Sequence, residues 1–266
     1  MRGPTGLGRG VPDLHPDGVT GRVVGRFRHG CYIGTPAGVY AVAGPAIPCG
    51  PLHLVVDVPP RVGEGEPVRR SGDLLQGRGW AVDLAEVEPY APWLPRPGDP
   101  ERLVRLAQGL STLPDPLPAD LHGCWPGVRD ALVRRDLVAA ARTLAGRGGG
   151  LTPAGDDVVA GLLLARAWIA ADEESADVAA AVAARTTDLS RGFLHWAERG
   201  ESIAPVHDLG RSVAVADAAG AAEAAARVRR IGASSGGALL FGLATGARLA
   251  RLRRRLGGAP SGAGSG

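Results

Sequence analysis

The stretch GRGGGLTPAGDDVVAGLLLA, residues 146–165, carries the strongest local signal in the sequence. A glycine-rich run leads into Thr-Pro, two adjacent aspartates and an apolar segment. Thr152 is a preferred residue type just before a helix, and Pro153 suits the first helical position. Asp156 and Asp157 then fall near the first turn, where the helix dipole favours negative charge. The stretch therefore predicts an apolar helix that begins near residue 153.

Four glycines in five residues, Gly146 and Gly148–Gly150, precede this helix, although a helix start alone does not require them. Exposed amides on such a loop, next to a helix N-terminus, are suited to binding an anion. The pattern differs from a nucleotide-binding P-loop, because Asp156 stands where the lysine is expected. Three interpretations stay open: an anion site, a divalent metal site in which Asp156 and Asp157 hold Mg²⁺, and a plain helix start.

A second glycine-flanked segment, IGASSGG at 231–237, contains the letters G-x-S-x-G with Ser234 at the nucleophile position. A nucleophile elbow requires a strand before the serine, whereas the preceding AEAAARVRRI is typical of a helix. The alternative is another helix N-terminus at which Ser234 and Ser235 cap the helix or bind a ligand. Small residues then recur every four positions, at Ser234, Ala238, Gly242 and Gly246. This stripe predicts a helix packed closely against a neighbouring helix.

The composition changes near residue 95. Before it, five or six short runs rich in Val and Ile are broken by Gly and Pro, and GTPAGV at 34–39 predicts a hairpin turn. After the proline-rich linker at 89–100, alanine-rich segments predict helices, the first two beginning at Pro100 and Pro126. We therefore predict an α+β protein in which a small antiparallel β-barrel or sandwich precedes an all-helical domain. The expected boundaries are 1–95 for the β-rich domain, 96–257 for the helical domain and 258–266 for a disordered tail.

Charge and composition argue against several classes of protein. The chain has 266 residues with a net charge of +3, and all 30 of its basic residues are arginines interleaved with 27 acidic residues. Without a basic stripe or an aromatic platform, nucleic-acid binding is not expected. The three cysteines are widely spaced, which argues against a disulfide framework or a cysteine zinc site. No signal peptide or membrane span is expected, and the sequence predicts a cytoplasmic protein.

Three segments together resemble the AllH-like family, also known as domain of unknown function 2877. They are GGGLTPAGDD at 148–157, TTDLS at 186–190 and GASSG at 232–236. The first is long and specific, and the layout of strands before helices is also similar. The resemblance implies a subunit of oxamate carbamoyltransferase, in which oxalurate and phosphate give oxamate and carbamoyl phosphate. It further implies an assembly with FdrA-like partner subunits.

Carbamoyl transfer requires amides that bind an anion, donors for a developing oxyanion and acceptors for the carbamoyl NH₂ group. We expect Asp156 and Asp157 to be catalytic, either as acceptors or as ligands of Mg²⁺. The residues expected to bind the small anionic substrate are Gly148, Gly149, Gly150, Thr152, Gly155, Ser190, Ser234, Ser235 and Gly236. Two alternatives stay open: a non-catalytic module that binds a small anion or a partner, and a serine hydrolase acting through Ser234.

Overall fold

The computed structural model of the chain describes residues 4–85, 87, 89–95, 99–169 and 177–257. The segment predicted to be a disordered tail, residues 258–266, lies outside this range. Strands come first and helices second, so the predicted α+β class is confirmed. The division into separate domains at residue 95 stays a prediction.

The described residues contain eight strands in one mixed sheet that curls into a half-barrel. The strand order is β1-β5-β4-β3-β2-β6-β7-β8, and all neighbours are antiparallel except the parallel pair β4–β5. The strands are β1 (Pro4–Leu7), β2 (Thr20–Phe27), β3 (Gly30–Thr35), β4 (Gly38–Ala43), β5 (His53–Val56), β6 (Pro67–Ser71), β7 (Leu74–Gly77) and β8 (Trp80–Asp83).

Local sequence accounts for the main hairpins of this sheet. The predicted turn at GTPAGV is confirmed: it joins β3 to β4, and Gly38 takes a φ of 145°. The run EPVRRSGDLL at 66–75 forms both β6 and β7, because Gly72 turns the chain at a φ of 59°. Along β2 exposed and buried residues alternate, so one face packs on the core while the other carries Thr20, Arg22 and Val24.

The helices of the described residues begin with a short N-terminal one, α1 (Val11–Leu14), and continue after the sheet. The predicted starts at Pro100 and near Pro126 are confirmed, but the second helix divides at Arg135, whose φ is 65°. The described helices after the sheet are α2 (Pro100–Ser111), α3 (Trp125–Val133), α4 (Leu137–Leu144), α5 (Ala154–Ile169), α6 (Val178–Val182), α7 (Asp188–Glu198), α8 (Ala204–Ala214), α9 (Ala218–Arg229) and α10 (Ser235–Gly257). No described helix is long and apolar enough to cross a membrane.

Helices α5 and α10 cross at the centre of the helical core with their backbones in contact. A Cβ added to Gly161 would lie 2.2 Å from the Leu239 carbonyl oxygen, and one added to Gly242 would lie 2.1 Å from the Val158 carbonyl oxygen. A Cβ on Gly246 would meet the side chain of Ala165 at 2.4 Å. The predicted packing of the small-residue stripe is therefore confirmed at Gly242 and Gly246.

The sheet and the helices have separate cores that meet along α7. Phe193 and Trp196 of α7 pack against the core of the sheet, whereas Leu194 and Ala197 of the same helix belong to the helical core. Because α7 contributes to both cores, its N-terminus has a fixed position between the sheet and helix α5. This is the region in which the sequence motifs meet.

Candidate functional site

The structure brings all three sequence motifs together at the N-termini of α5, α7 and α10. The hydroxyl of Thr152, just before α5, lies 2.9 Å from the hydroxyl of Ser235 at the start of α10. The carbonyl of Leu151 accepts a hydrogen bond from Thr187, the residue that caps α7, at 2.6 Å. Three positive helix ends therefore converge on one loop, residues 146–153, which we name the glycine loop.

The conformation of the glycine loop explains its composition. Gly146, Gly148 and Gly150 have φ values of 71°, 107° and 86°, in the left-handed region that favours glycine. A Cβ at Gly146 would also lie 2.1 Å from the carbonyl oxygen of Arg185. Gly149 has no positive φ, and a Cβ added there would have no described atom within 4 Å, so this part of the loop is open to solvent.

The loop carries a row of backbone N–H groups without protein partners. Among the residues that the structure describes, nothing accepts a hydrogen bond from the amides of residues 148–152 or of Ala154. Gly148, Gly149 and Gly150 are exposed, so these donors are accessible to a ligand. Consecutive free amides at a helix N-terminus are the arrangement that binds phosphates and carboxylates.

Thr152 does not cap helix α5, and the sequence-based prediction of that role was wrong. The helix begins at Ala154, and the amide of Gly155 donates instead to the carbonyl of Arg147 at 2.8 Å. Because the left-handed glycines fold the loop back, the Arg147 carbonyl occupies the capping position. The Thr152 hydroxyl is consequently left to pair with Ser235.

Asp156 holds the glycine loop in place. Its side chain is 2% exposed. One carboxylate oxygen accepts from the amide of Gly146 at 2.8 Å, and the other accepts a short hydrogen bond from the Thr186 hydroxyl. Both oxygens are thus occupied by protein donors on two different segments. The structure gives Asp156 a positioning role for the loop.

Asp157 has a different environment, although it is the adjacent residue. Its Oδ2 atom is buried and has no hydrogen-bond partner among the described residues. Burial raises the pKa of the Asp157 carboxyl well above its ordinary value, the nearby charge of Asp156 acts in the same direction, and the Ser235 hydroxyl opposes both. A carboxyl group with a raised pKa stays protonated up to a higher pH than an ordinary one, and a protonated carboxyl can donate its proton.

The expected metal site does not fit this pair of carboxylates. Asp156 is directed to Gly146 and Thr186, whereas Asp157 is directed towards Ser235. Within the described ranges, no group of three or more His, Cys, Asp or Glu side chains is placed to hold a metal ion. Mg²⁺ usually needs near-octahedral oxygen ligation, which these two residues do not share.

The serines differ in position. Ser235 lies at the junction of Thr152 and Asp157, whereas Ser234 is exposed in the turn between α9 and α10. Because a helix and not a strand precedes Ser234, the nucleophile elbow of a serine hydrolase is not formed. Ser190 is buried in α7, and its hydroxyl donates to the Leu151 carbonyl at 3.4 Å.

Two of the glycines expected to bind substrate, Gly155 and Gly236, lie at close backbone contacts. A Cβ at Gly155 would lie 2.0 Å from the Leu144 carbonyl oxygen, and one at Gly236 would lie 1.9 Å from the Val228 carbonyl oxygen. Both are buried, so they act by letting neighbouring helices approach. Sequence reasoning missed Thr186 and Thr187, although both are part of the TTDLS element.

A cavity of about 520 Å³ borders the glycine loop on the side of the sheet. Leu151, Thr187 and Asp188 line its helical wall, and Arg22 and Tyr32 lie in the opposite wall, on β2 and β3. No local sequence signal pointed to these two residues, because their position depends on how the sheet docks against α7.

The fold and the site define a class of α+β protein in which three helix N-termini meet at a glycine loop, beside a carboxyl group of raised pKa. A family model described as oxamate carbamoyltransferase subunit AllH matches residues 144–247. Over these residues the chain is similar to the AllH family, which confirms the resemblance seen in the sequence.

The matched range contains all three motifs and does not include the sheet. The family description is that of a subunit of a carbamoyltransferase. No curated protein and no solved structure matches the chain.

Proposed function

We propose that this chain is the subunit of an oxamate carbamoyltransferase-type enzyme that binds the small anionic substrate at the glycine loop. The observation that carries the proposal is the row of amides at residues 148–152, which lack partners among the described residues and lie next to three converging helix N-termini. Partial positive charge from three helices and unpaired N–H groups favour an anion of the size of phosphate or a carboxylate. The family match independently indicates a reaction whose substrates are such anions.

The proposed reaction also needs a proton for the nitrogen that leaves. Phosphate oxygen attacks the carbamoyl carbon of oxalurate, the bond from that carbon to the amide nitrogen breaks, and oxamate leaves. In our proposal the Asp157 carboxyl donates its proton to this nitrogen and regains one from hydrogen phosphate, so the protons balance. The raised pKa of Asp157 favours this exchange, since burial stabilises the protonated carboxyl that must donate.

Thr152 and Ser235 complete the proposed site. Their hydroxyls lie 2.9 Å apart, and each has a further position open for a hydrogen bond with the substrate. We propose that they position the carbamoyl group between the glycine loop and Asp157, while Asp156 keeps the loop in its binding conformation.

The test is the oxamate-dependent release of phosphate from carbamoyl phosphate, measured on the chain alone and together with FdrA-like partner subunits. We expect Asp157→Asn to lower kcat by at least about 100-fold, which is the lower range for loss of a general acid. The affinity for phosphate should change less than threefold. Thr152→Val should weaken the binding of carbamoyl phosphate, whose carbamoyl group this hydroxyl is proposed to position. The matched control is Thr143→Val in α4, whose hydroxyl donates to the Ala139 carbonyl of its own helix, and it should leave both parameters unchanged.

A non-catalytic module that binds a small anion or a partner is the second candidate, since the amides alone suffice for binding. It predicts normal anion affinity and full activity of the assembly after Asp157→Asn. That result would remove the catalytic part of the proposal and keep the binding part.

A further inference from the structure

The cavity beside the glycine loop contains a cation, Arg22, that has no counter-ion among the described residues. Arg22 lies on the exposed face of β2, and its side chain donates a hydrogen bond to the carbonyl of Gly65 at 3.2 Å. In the part of the chain that the structure describes, no carboxylate lies within ion-pairing distance of it. Among the described residues that line the cavity, Asp188 is the one acidic side chain, and it is already paired with Arg191 at 2.5 Å. Because Asp188 is neutralised by Arg191, which lies outside the cavity lining, the charge of Arg22 is left uncompensated at the cavity.

A hydroxyl group lies in the same wall. Tyr32 is half-buried on β3, its ring packs against Phe27 with 4.9 Å between ring centroids, and its hydroxyl has no hydrogen-bond partner among the described residues. Burial raises the pKa of Tyr32, which keeps this hydroxyl protonated and able to donate. Arg22 and Tyr32 together provide the charged and neutral donors with which proteins commonly bind a carboxylate.

The opposite wall is formed by the glycine-loop region. Leu151 lines the cavity and directly follows the amides of Gly148–Gly150, and Thr187 ties the Leu151 carbonyl to the start of α7. A volume of about 520 Å³ accommodates a small organic acid that extends from this wall to the sheet. Leu151 and Val24, both more than half exposed, flank the cavity and would be covered by the bound molecule.

We infer that the N-terminal sheet completes the substrate site, with Arg22 and Tyr32 binding the carboxylate of a small 2-oxo acid amide whose carbamoyl end lies at the glycine loop. This inference rests on the proposed function and adds the residues of the sheet that bind the carboxylate of the substrate. Arg22 supplies the charge, and the Tyr32 hydroxyl donates a hydrogen bond to the carboxylate. Phosphate, which binds only at the glycine loop, does not depend on either residue.

The experiment is isothermal titration calorimetry of the full chain with three probes: oxamate, its uncharged analogue oxamide, and inorganic phosphate. We expect the wild-type chain to bind oxamate at least about tenfold more tightly than oxamide. Arg22→Gln should weaken oxamate binding about tenfold, the usual effect of losing a charged hydrogen bond, and should leave phosphate binding unchanged. Arg22→Lys should recover part of the loss, and Tyr32→Phe should cost about threefold.

Arg69→Gln is the matched control, because Arg69 is exposed on the adjacent strand β6 and does not line the cavity. It should bind all three probes as the wild type does. Equal affinity of wild type and Arg22→Gln for oxamate would overturn the inference. The inference would also be overturned if the wild-type chain bound phosphate but not oxamate. That result would leave the glycine-loop proposal intact. Failure of the wild-type chain to bind either anion would overturn both.

Discussion

The crossing of α5 and α10 gives the sharpest prediction about stability. In Gly242→Ala the new methyl carbon would lie 2.1 Å from the Val158 carbonyl oxygen and 2.9 Å from its carbon. Ordinary contact starts at 3.4 Å, and both neighbours are helix backbone, so the helices must separate by about 1 Å. Overpacking of this kind costs roughly 1–3 kcal/mol, and a separated interface loses additional dispersion energy. Because alanine gains up to about 1 kcal/mol in helix propensity, we expect a net loss of about 1–2 kcal/mol.

The assay is urea unfolding of the purified chain, followed by far-ultraviolet circular dichroism. Gly237→Ala in the same helix is the control, because a Cβ there has no described atom within 4 Å and its backbone is helical. That variant should be equally stable or more stable by up to about 1 kcal/mol. If Gly242→Ala were as stable as Gly237→Ala, the close crossing of the two helices would be refuted.

Three further predictions concern single aspartates. Asp156→Asn should lower the free energy of unfolding by about 1–3 kcal/mol, because the side-chain amide has one oxygen and cannot replace both carboxylate oxygens that accept from Gly146 and Thr186. Thermal unfolding at the wild-type temperature would contradict the positioning role of Asp156. The Asp157 carboxyl has a raised pKa in the folded protein, whereas in the unfolded chain it ionises from about pH 4. The free energy of unfolding should therefore fall as the pH rises from about 4 through the raised folded-state pKa. Asp157→Asn should remove this slope when urea unfolding is compared at about pH 5 and pH 8, and an unchanged slope would exclude the raised pKa. Asp115→Ala should lower the free energy of unfolding by about 2 kcal/mol, because Asp115 is buried and accepts two hydrogen bonds from Arg229. A loss under about 0.5 kcal/mol in chemical denaturation would contradict this prediction.

Local patterns predicted the features that depend on neighbouring residues. Gly38 and Pro36 set the hairpin between β3 and β4, and the four-residue spacing of Gly242 and Gly246 predicted the close helix pair. No local rule brings residues 148–157, 186–190 and 232–236 together, so only the family resemblance linked the three motifs before the fold was known.

Long-range contacts decided what could not be predicted. The parallel pairing of β4 with β5 has no local signature, because a connecting segment separates the strands. The roles of Thr152 and Asp156 changed for a similar reason: each finds a partner on a distant segment, Ser235 and Thr186 respectively. Arg22 and Tyr32 were not found because only the docking of the sheet against α7 places them at the cavity.

The two aspartates show how the same sequence motif contains two functions. Asp156 is fully engaged by donors of the protein, whereas the adjacent Asp157 has a buried oxygen without a partner among the described residues. A loop that must present a row of consecutive amides to a ligand needs an internal acceptor to hold it, and Asp156 provides one. The acidic pair is therefore best understood as one positioning residue and one candidate proton donor.

The most direct test of the central claim is to observe the amides of the glycine loop during a titration with phosphate. In ¹H–¹⁵N correlation spectra of the labelled chain, we expect saturable shifts at residues 148–152 and at Ser235, with smaller changes elsewhere. The same signals should move with oxamate. If phosphate saturates the protein while these amide signals stay in place, the glycine loop is not the anion site and the account is contradicted.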